Sequence, residues 1–256
     1  MIQWGMRQSQ FFTKTLKDAP KDAETINHQL LVRGGFVRQL MAGVYTYLPL
    51  GLKVLNKISQ IVREEMDATG AHEVLMPIMH PALLWKQTGG WDNIDVLFKI
   101  KSRTKKDYAL AQSNEETVTP LAKEFIHSYR DLPISIYHIN WKFRDELRSK
   151  SGILRGREFL MKDLYSFHID QANFEKYYKI AKEAYLKAFD RMGLTAKVTE
   201  ASGGGFSEKI SYEFEVLSDA GEANILYCDK CDFCVNTDDI DKYKNGEECP
   251  ACKKGS

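Results

Sequence analysis

Residues Ile134–His168 read ISIYHINWKFRDELRSKSGILRGREFLMKDLYSFH, and the reading of this stretch decides the fold. Period-two alternation in its first part places Tyr137, Ile139, Trp141 and Phe143 on one face of a strand and His138, Asn140, Lys142 and Arg144 on the other. One face suits a core and the other a ligand. If the strand continues, Glu146 joins Arg144 on the polar face, so that a guanidinium and a carboxylate project the same way and can hold an anion and an amine together. The link Leu147 to Gly156 carries Arg148, Lys150, Arg155 and two glycines, too polar for a core and suited to a mobile loop over phosphates. Glu158 to His168 then reads as a second strand, with Phe159, Met161, Asp163, Tyr165 and Phe167 on one side, where a ring, an acid and a phenol could line a small pocket. An ordinary amphipathic hairpin with a solvated basic turn fits the same pattern, and composition does not separate the two.

FRDE at Phe143–Glu146, the loop, and REFLMKDLYSFH at Arg157–His168 together resemble motif 2 of a class II aminoacyl-tRNA synthetase, specifically the bacterial-type prolyl-tRNA synthetases. The resemblance runs upstream through GVYTYLPLGLKVLNKISQIVREEM (Gly43–Met66) and EVLMP (Glu73–Pro77), similar to the motif 1 helix and strand, and through QSNEE (Gln112–Glu116). It covers most of Arg7 to Leu217. It implies an α+β fold, an antiparallel sheet flanked by helices, and a two-step reaction. Proline carboxylate attacks the α-phosphorus of ATP, supplied with Mg2+, to give prolyl-adenylate and pyrophosphate; the prolyl group then passes to the terminal ribose of tRNA(Pro). No nucleophilic side chain is required, and catalysis would come from positioning and charge stabilisation, for which a bidentate arginine is suited.

Carried over residue by residue, the resemblance implies that Arg144 bridges the carboxylate and the α-phosphate, Glu146 takes the adenine amine and Phe159 stacks on the base. Arg148 and Arg155 would approach the phosphates or the tRNA end. Ser113, Glu115 and Asp163 would surround the proline imino group, with Met161 and Tyr165 shaping its ring pocket, while His168 lies off that face and is structural. The family carries Thr-x-Glu-Glu where this chain has Ser113 and Glu115, which keeps the hydroxyl and loses its methyl. Ser113 with Glu116 three residues on also fits a capping box for a helix over Val118–Tyr129, a competing reading. Where the family has Ser-His-Glu-Phe this chain has Ser211-Tyr212-Glu213-Phe214, with Tyr212 in the histidine's place, and Glu213 is a weaker candidate.

The 256 residues allow one large domain or a domain with a small appendage, and 36 basic against 35 acidic residues leave no global charge to drive nucleic-acid binding. No apolar run reaches the roughly 18 residues of a membrane span, so a cytoplasmic protein with no membrane association is expected. All five cysteines follow residue 227, a clustering that argues against a secreted disulfide framework and for a metal site. Cys228-x2-Cys231, seventeen residues, and Cys249-x2-Cys252 have zinc-ribbon spacing; Cys231-x2-Cys234 is an alternative knuckle, and the outer pairs are preferred. Four sulfur ligands leave no open position, so the Zn2+ would be structural, though iron fits the same thiolates. The expected division is a catalytic core over 1–226 and a cysteine-rich segment over 227–256.

Helical spacing is read over Ala23–Leu40, broken by Gly34-Gly35, over Leu50–Met66 and over Gln171–Met192, the last capped by Asp170 and stopped by Gly193. Val74–Pro77 reads as an edge strand, Leu83–Trp91 as a loop, and Ile94–Ile100 with Lys105–Ala111 as a hairpin around a solvated KSRTKK turn. Leu194–Thr199 and Ser211–Leu217, flanking Ser202–Gly205, are expected to extend the sheet of the central hairpin. The resemblance implies a homodimer through the motif 1 helix and strand. Nothing resembles the family's editing domain, so hydrolysis of mischarged alanyl-tRNA is not expected. Motif 3 and the anticodon-binding domain are likewise not found, and the chain alone is expected to be inactive or weakly active. The alternative is a non-catalytic, synthetase-like RNA-binding protein that uses its ribbon and loop.

Overall fold

The glycine pair after Arg33 sets the start of the fold. Helix α1 covers only Ile26–Arg33, because Gly35 adopts a left-handed φ of +72° and the Phe36 amide closes back on Leu31, ending the helix well before Leu40. The expected longer helix is replaced by a hairpin of β1 (Val37–Met41) and β2 (Val44–Tyr47), turning at Gly43. This computed structural model describes residues 7–21, 23–149, 152–201, 211–218, 221, 223–237 and 245–254. Lys150 and the Ser202–Gly205 turn lie outside the described residues. The chain divides into two units, Met1–Ala181 and Lys182–Ser256.

In the first unit, α2 (Pro49–Ala68) starts with proline at a position where its missing N–H is not needed. Gly51 lets this helix lie against the preceding turn, since a Cβ there would stand 2.1 Å from the Phe36 carbonyl oxygen. Farther along, the buried Tyr137 donates its hydroxyl to Asp67 at 2.6 Å, pinning the end of α2 to the central hairpin. A short strand β3 (His72–Glu73) follows, two residues earlier than the sequence expectation, and Val74 adds one further amide bond to Tyr137 before the chain leaves the ladder.

After β4 (Met79–Pro81), the region expected to be a loop holds α3 (Ala82–Gln87) and α4 (Gly90–Asn93). The physical reason is Trp85, fully buried against Leu97 and Ala109, with Trp91 and Ile94 packed around it. Burying an indole of this size stabilises by about 3–5 kcal/mol over alanine, enough to order two short helices. The hairpin of β5 (Lys99–Lys101) and β6 (Asp107–Leu110) forms as expected, and β4 joins its open side in the order β4-β6-β5. After it come α5 (Glu115–Phe125), β7 (Ile134–Phe143) and β8 (Glu158–Phe167). The two long strands pair antiparallel over their full length, from Ile134↔Phe167 to Phe143↔Glu158, and β3 lies parallel to β7 on the other edge.

Helix α6 (Gln171–Arg191) crosses the division between the units; the Asp170 carboxylate accepts from the Asn173 amide at 2.8 Å, and Gly193 at φ +76° ends the helix, both as expected. In the second unit β9 (Ala196–Ala201), β10 (Ser211–Val216), β11 (Ile225–Tyr227) and β12 (Cys234–Asn236) form one sheet in the order β10-β9-β12-β11. The expectation that β9 and β10 extend the sheet of β7 and β8 is therefore corrected. Both edges of β9 are taken by β10 and β12, while Tyr185 and Phe189 of α6 stack on Phe214 at 4.9 and 6.1 Å. Through β12 the cysteine-bearing segment shares a sheet with residues that precede 227. Among the described residues, no helix is long and apolar enough to cross a membrane.

Candidate functional site

Strand parity places His138, Asn140 and Lys142 of β7 opposite Asp163, Met161 and Phe159 of β8, so the polar face of one strand meets the mixed face of the other. Arg144 follows the last residue of β7, and its amide still bonds the Arg157 carbonyl at 2.9 Å, prolonging the hairpin by one pair. Its guanidinium carbon stands 5.4 Å from the centre of the Phe159 ring, within cation–π range. The Arg144 Nε is buried without a hydrogen-bond partner.

The chain turns off the strand after Phe143, so alternation does not carry to Glu146. Its place is fixed by the backbone instead: the Glu146 carbonyl accepts from Arg157 Nε and Nη2 at 3.0 and 2.8 Å, while Arg157 Nη1 reaches the Ala42 carbonyl at 2.8 Å. Arg157 thus clamps both ends of the basic loop. The sequence reading gave Arg157 no role. Arg148 and Arg155 are exposed on this loop.

The segment before α5 reaches β7 through a 2.9 Å bond from the Phe143 amide to the Ala111 carbonyl. Here the expected capping box does not form: Asn114, not Ser113, is the N-cap, without a side-chain cap bond, and the Ser113 hydroxyl accepts from Gln112 Nε2 at 3.0 Å. Ser113 is half-buried and Glu115 exposed as the first helical residue. Glu116 instead accepts from Thr88 at 3.3 Å, and burial raises its carboxyl above the usual range.

Between these elements lies a buried polar cluster that strand alternation alone shows only as scattered residues. Lys142, His138 and Asn114 are fully buried and Asp163 nearly so. Asp163 Oδ2 takes Lys142 Nζ at 2.7 Å, His138 Nε2 at 2.9 Å and the Tyr165 hydroxyl at 3.0 Å. Burial alone would raise Asp163; hydrogen bonds from His138 and Lys142 outweigh it and hold the carboxyl below its ordinary value. Burial lowers the Lys142 pKa, with Asp163 pulling the other way, and both Glu115 and Arg144 act on it electrostatically. Burial and the nearby Asp163 raise Tyr165, keeping it a neutral donor. The cluster therefore lies in the field of Arg144 on one side and Glu115 on the other. The alternation signal could have found Lys142, since a lysine on an inward strand face needs a counter-charge.

In the second unit the thiols of Cys228, Cys231, Cys249 and Cys252 all lie within 4.8 Å of one another. Cys228 and Cys252 Sγ are 3.7 Å apart, Cys231 and Cys249 Sγ 3.6 Å. Four thiolates about 2.3 Å from one tetrahedral ion have sulfur–sulfur edges of about 3.8 Å, so the donor set and its size fit Zn2+. Burial opposes ionisation of Cys249, but amides of Cys252 and Ala251 and the neighbouring thiols pull it down to about 7. For Cys231 the Phe233 amide favours the thiolate, yet burial and hydrogen bonds among the thiols push it up to about 12. Cys234 stands outside the group, buried in β12, where desolvation raises its thiol.

The family described as tRNA synthetase class II core domain (G, H, P, S and T) matches residues 98–252. A proline--tRNA ligase of Acidithiobacillus ferrooxidans is 48% identical over 232 residues, 90% of this chain and 41% of that protein. One from Heliobacterium modesticaldum is 50% identical over 235 residues, 91% of this chain and 41% of that protein. The chain thus spans about two fifths of the length of the curated relatives it matches. Among solved structures, prolyl-tRNA synthetase from Cryptosporidium parvum with halofuginone and AMPPNP aligns with a TM-score of 0.65 at 17% identity, covering 73% of this chain and 39% of that one. The same enzyme with L-proline and AMP gives 0.66 at 15% identity, over 77% and 41%. At such identities the likeness concerns the fold.

Proposed function

Given that the chain belongs to the family of class II tRNA synthetase core domains, we propose that it is the amino-acid-activating part of a proline--tRNA ligase, forming prolyl-adenylate from proline and ATP for transfer to tRNA(Pro). The observation that carries this reading is Arg144, held over Phe159 at the end of β7 with a buried Nε that has no hydrogen-bond partner. A guanidinium fixed in this way can bridge a carboxylate and an α-phosphate at little reorganisation cost. Phe159 then offers its other face to adenine, and Glu146, whose backbone Arg157 anchors, takes the adenine amine. Arg155 approaches the phosphates of ATP, which is bound as its Mg2+ complex. Ser113, Glu115 and Asp163 receive the proline imino group, and Met161 and Tyr165 bound its ring. His138, Lys142 and Tyr165 all donate to Asp163 Oδ2, so the substrate cation meets the opposite oxygen.

The four clustered thiols would hold a structural Zn2+, leaving no site for an activated water. Five free thiols fit a reducing cytoplasm. Homodimerisation through α2 and the segment after it is supported by exposed Leu52, Val54, Ile58, Leu75 and Met79, an apolar surface of the kind partners cover.

The test is ATP–pyrophosphate exchange by the chain joined to the remaining part of a curated relative. Proline-dependent exchange that Arg144→Ala abolishes is expected. Exchange driven by threonine or serine would overturn the substrate assignment. Tight RNA binding insensitive to Arg144→Ala, without exchange, would favour a non-catalytic RNA-binding protein.

A further inference from the structure

Lys142 lies deeper than any residue assigned to a substrate. It is 0% exposed, and an ammonium has three donors to satisfy. Two acceptors meet it, Asn114 Oδ1 at 2.6 Å and Asp163 Oδ2 at 2.7 Å, and His138 Nε2, 2.9 Å from the ammonium, donates to the same Asp163 oxygen. The arrangement closes on itself, because the Asn114 amide donates to the Tyr165 hydroxyl at 3.0 Å and that hydroxyl donates to Asp163 Oδ2 at 3.0 Å. Asn114 is held from a further side, its Nδ2 donating to Thr117 Oγ1 at 2.8 Å. Lys142, Asn114, Tyr165 and Asp163 therefore form one hydrogen-bonded loop that joins β7, β8 and the start of α5.

We propose that Lys142 is a positioning residue for amino-acid recognition: by tying Asn114 to Asp163, it sets Ser113 and Glu115, the two neighbours of Asn114 in the chain, against Asp163 and Tyr165. The inference rests on the proposed reading of those four residues as the proline-binding groups. Nucleotide binding depends on other parts, since Arg144 and Phe159 hold each other and Arg157 fixes Glu146 through backbone carbonyls. Loss of the ammonium should loosen the amino-acid side of the site and leave the nucleotide side in place. A group displaced by an ångström can cost on the order of 100-fold.

The experiment measures, by titration calorimetry on the whole chain, the affinity for a non-hydrolysable prolyl-sulfamoyl adenosine and, separately, for ATP. Lys142→Met should weaken the prolyl compound on the order of 100-fold while ATP binding stays as in the native protein. In exchange assays on the chain joined to the rest of a relative, the same variant should raise KM for proline with KM for ATP unchanged. Should Lys142→Met not fold, a second pair decides. His138→Leu removes one donor to Asp163 and should weaken the prolyl compound alone, whereas His138→Gln, whose amide nitrogen replaces that donor, should restore it. Equal weakening of both ligands, or His138→Leu and His138→Gln behaving alike, overturns the proposal. If the native chain does not bind the prolyl compound at all, the parent reading of the site fails, and this inference with it.

Discussion

The two units bury polar atoms in opposite ways. In the first, Lys142, Asp163, Asn114, His138 and Tyr165 satisfy one another, with charge balanced between Lys142 and Asp163. In the second, four thiols gather within 4.8 Å of one another. The first cluster pairs its charges within the chain itself. The second would become stabilising if an ion took up the thiolates, as proposed above. On that proposal, one unit's order is written into its own side chains, while the other's would be conditional on a metal supplied from outside.

Metal removal should give the largest effect and break the comparison most directly. Binding of a structural Zn2+ contributes on the order of 10 kcal/mol in small metal-folded domains, and among the described residues from Ile225 onward the strands are three residues long each. A strong chelator should therefore unfold the cysteine-bearing segment, seen as rapid hydrogen exchange over 225–237 and 245–254. Tryptophan fluorescence isolates the other unit, because all four tryptophans precede residue 182. That signal should not change. A coincident loss of both signals would show that the first unit also depends on the ion.

Next in size is Asp163→Asn, which leaves the Lys142 ammonium buried with no counter-charge. Breaking a buried pair from one side costs about 3–5 kcal/mol. The urea midpoint read by tryptophan fluorescence should fall accordingly, with metal content unchanged. A loss below about 1 kcal/mol, the usual worth of an exposed pair, would mean that the cluster is wetter than its burial implies.

How far these two regions could be read in advance differs for the same physical reason. The hairpin was legible because period-two alternation over ten residues per strand fixes both faces, and the observed register puts Asp163 opposite His138 and Phe159 opposite Lys142. The thiol group was legible because two Cys-x2-Cys pairs at that spacing have few other uses. What escaped was whatever depends on contacts distant in sequence. Trp85 turns an apparent loop into two helices only because Leu97 and Ala109 lie against it. Asn114 displaces Ser113 as the cap because Lys142, Tyr165 and Thr117 hold it there. The strands β9 and β10 alternate well enough, but alternation does not say which sheet a strand joins, and β12, far along the chain, decides it.

Acid should separate the units by a smaller margin. The Asp163 carboxyl is held below the ordinary aspartate value of 3.8 in the folded chain, so below that value the unfolded state binds more protons. Its contribution to stability is present above 3.8 and is lost as the pH falls through the depressed folded value. The fluorescence-detected urea midpoint of the native chain should drop over that window. Asp163→Asn should remove this dependence; an unchanged acid limb in the variant would assign it to other carboxylates.

The smallest effect is expected at Cys234, and it sharpens the comparison by testing how the second unit chooses its ligands. Spacing alone permits Cys231-x2-Cys234 as a knuckle, yet Cys234 lies in β12, paired with Tyr227, while the other four thiols face one another. Burial raises its thiol, which disfavours the thiolate a metal requires. Cys234→Ala removes one small buried side chain and should cost on the order of 1 kcal/mol, leaving one Zn2+ per chain at native affinity. Cys249→Ala, which takes a thiol out of the group itself, should lose the ion. If Cys234→Ala instead released metal, the strand would have to yield its cysteine on binding, and the four-thiol arrangement would describe only the metal-free protein.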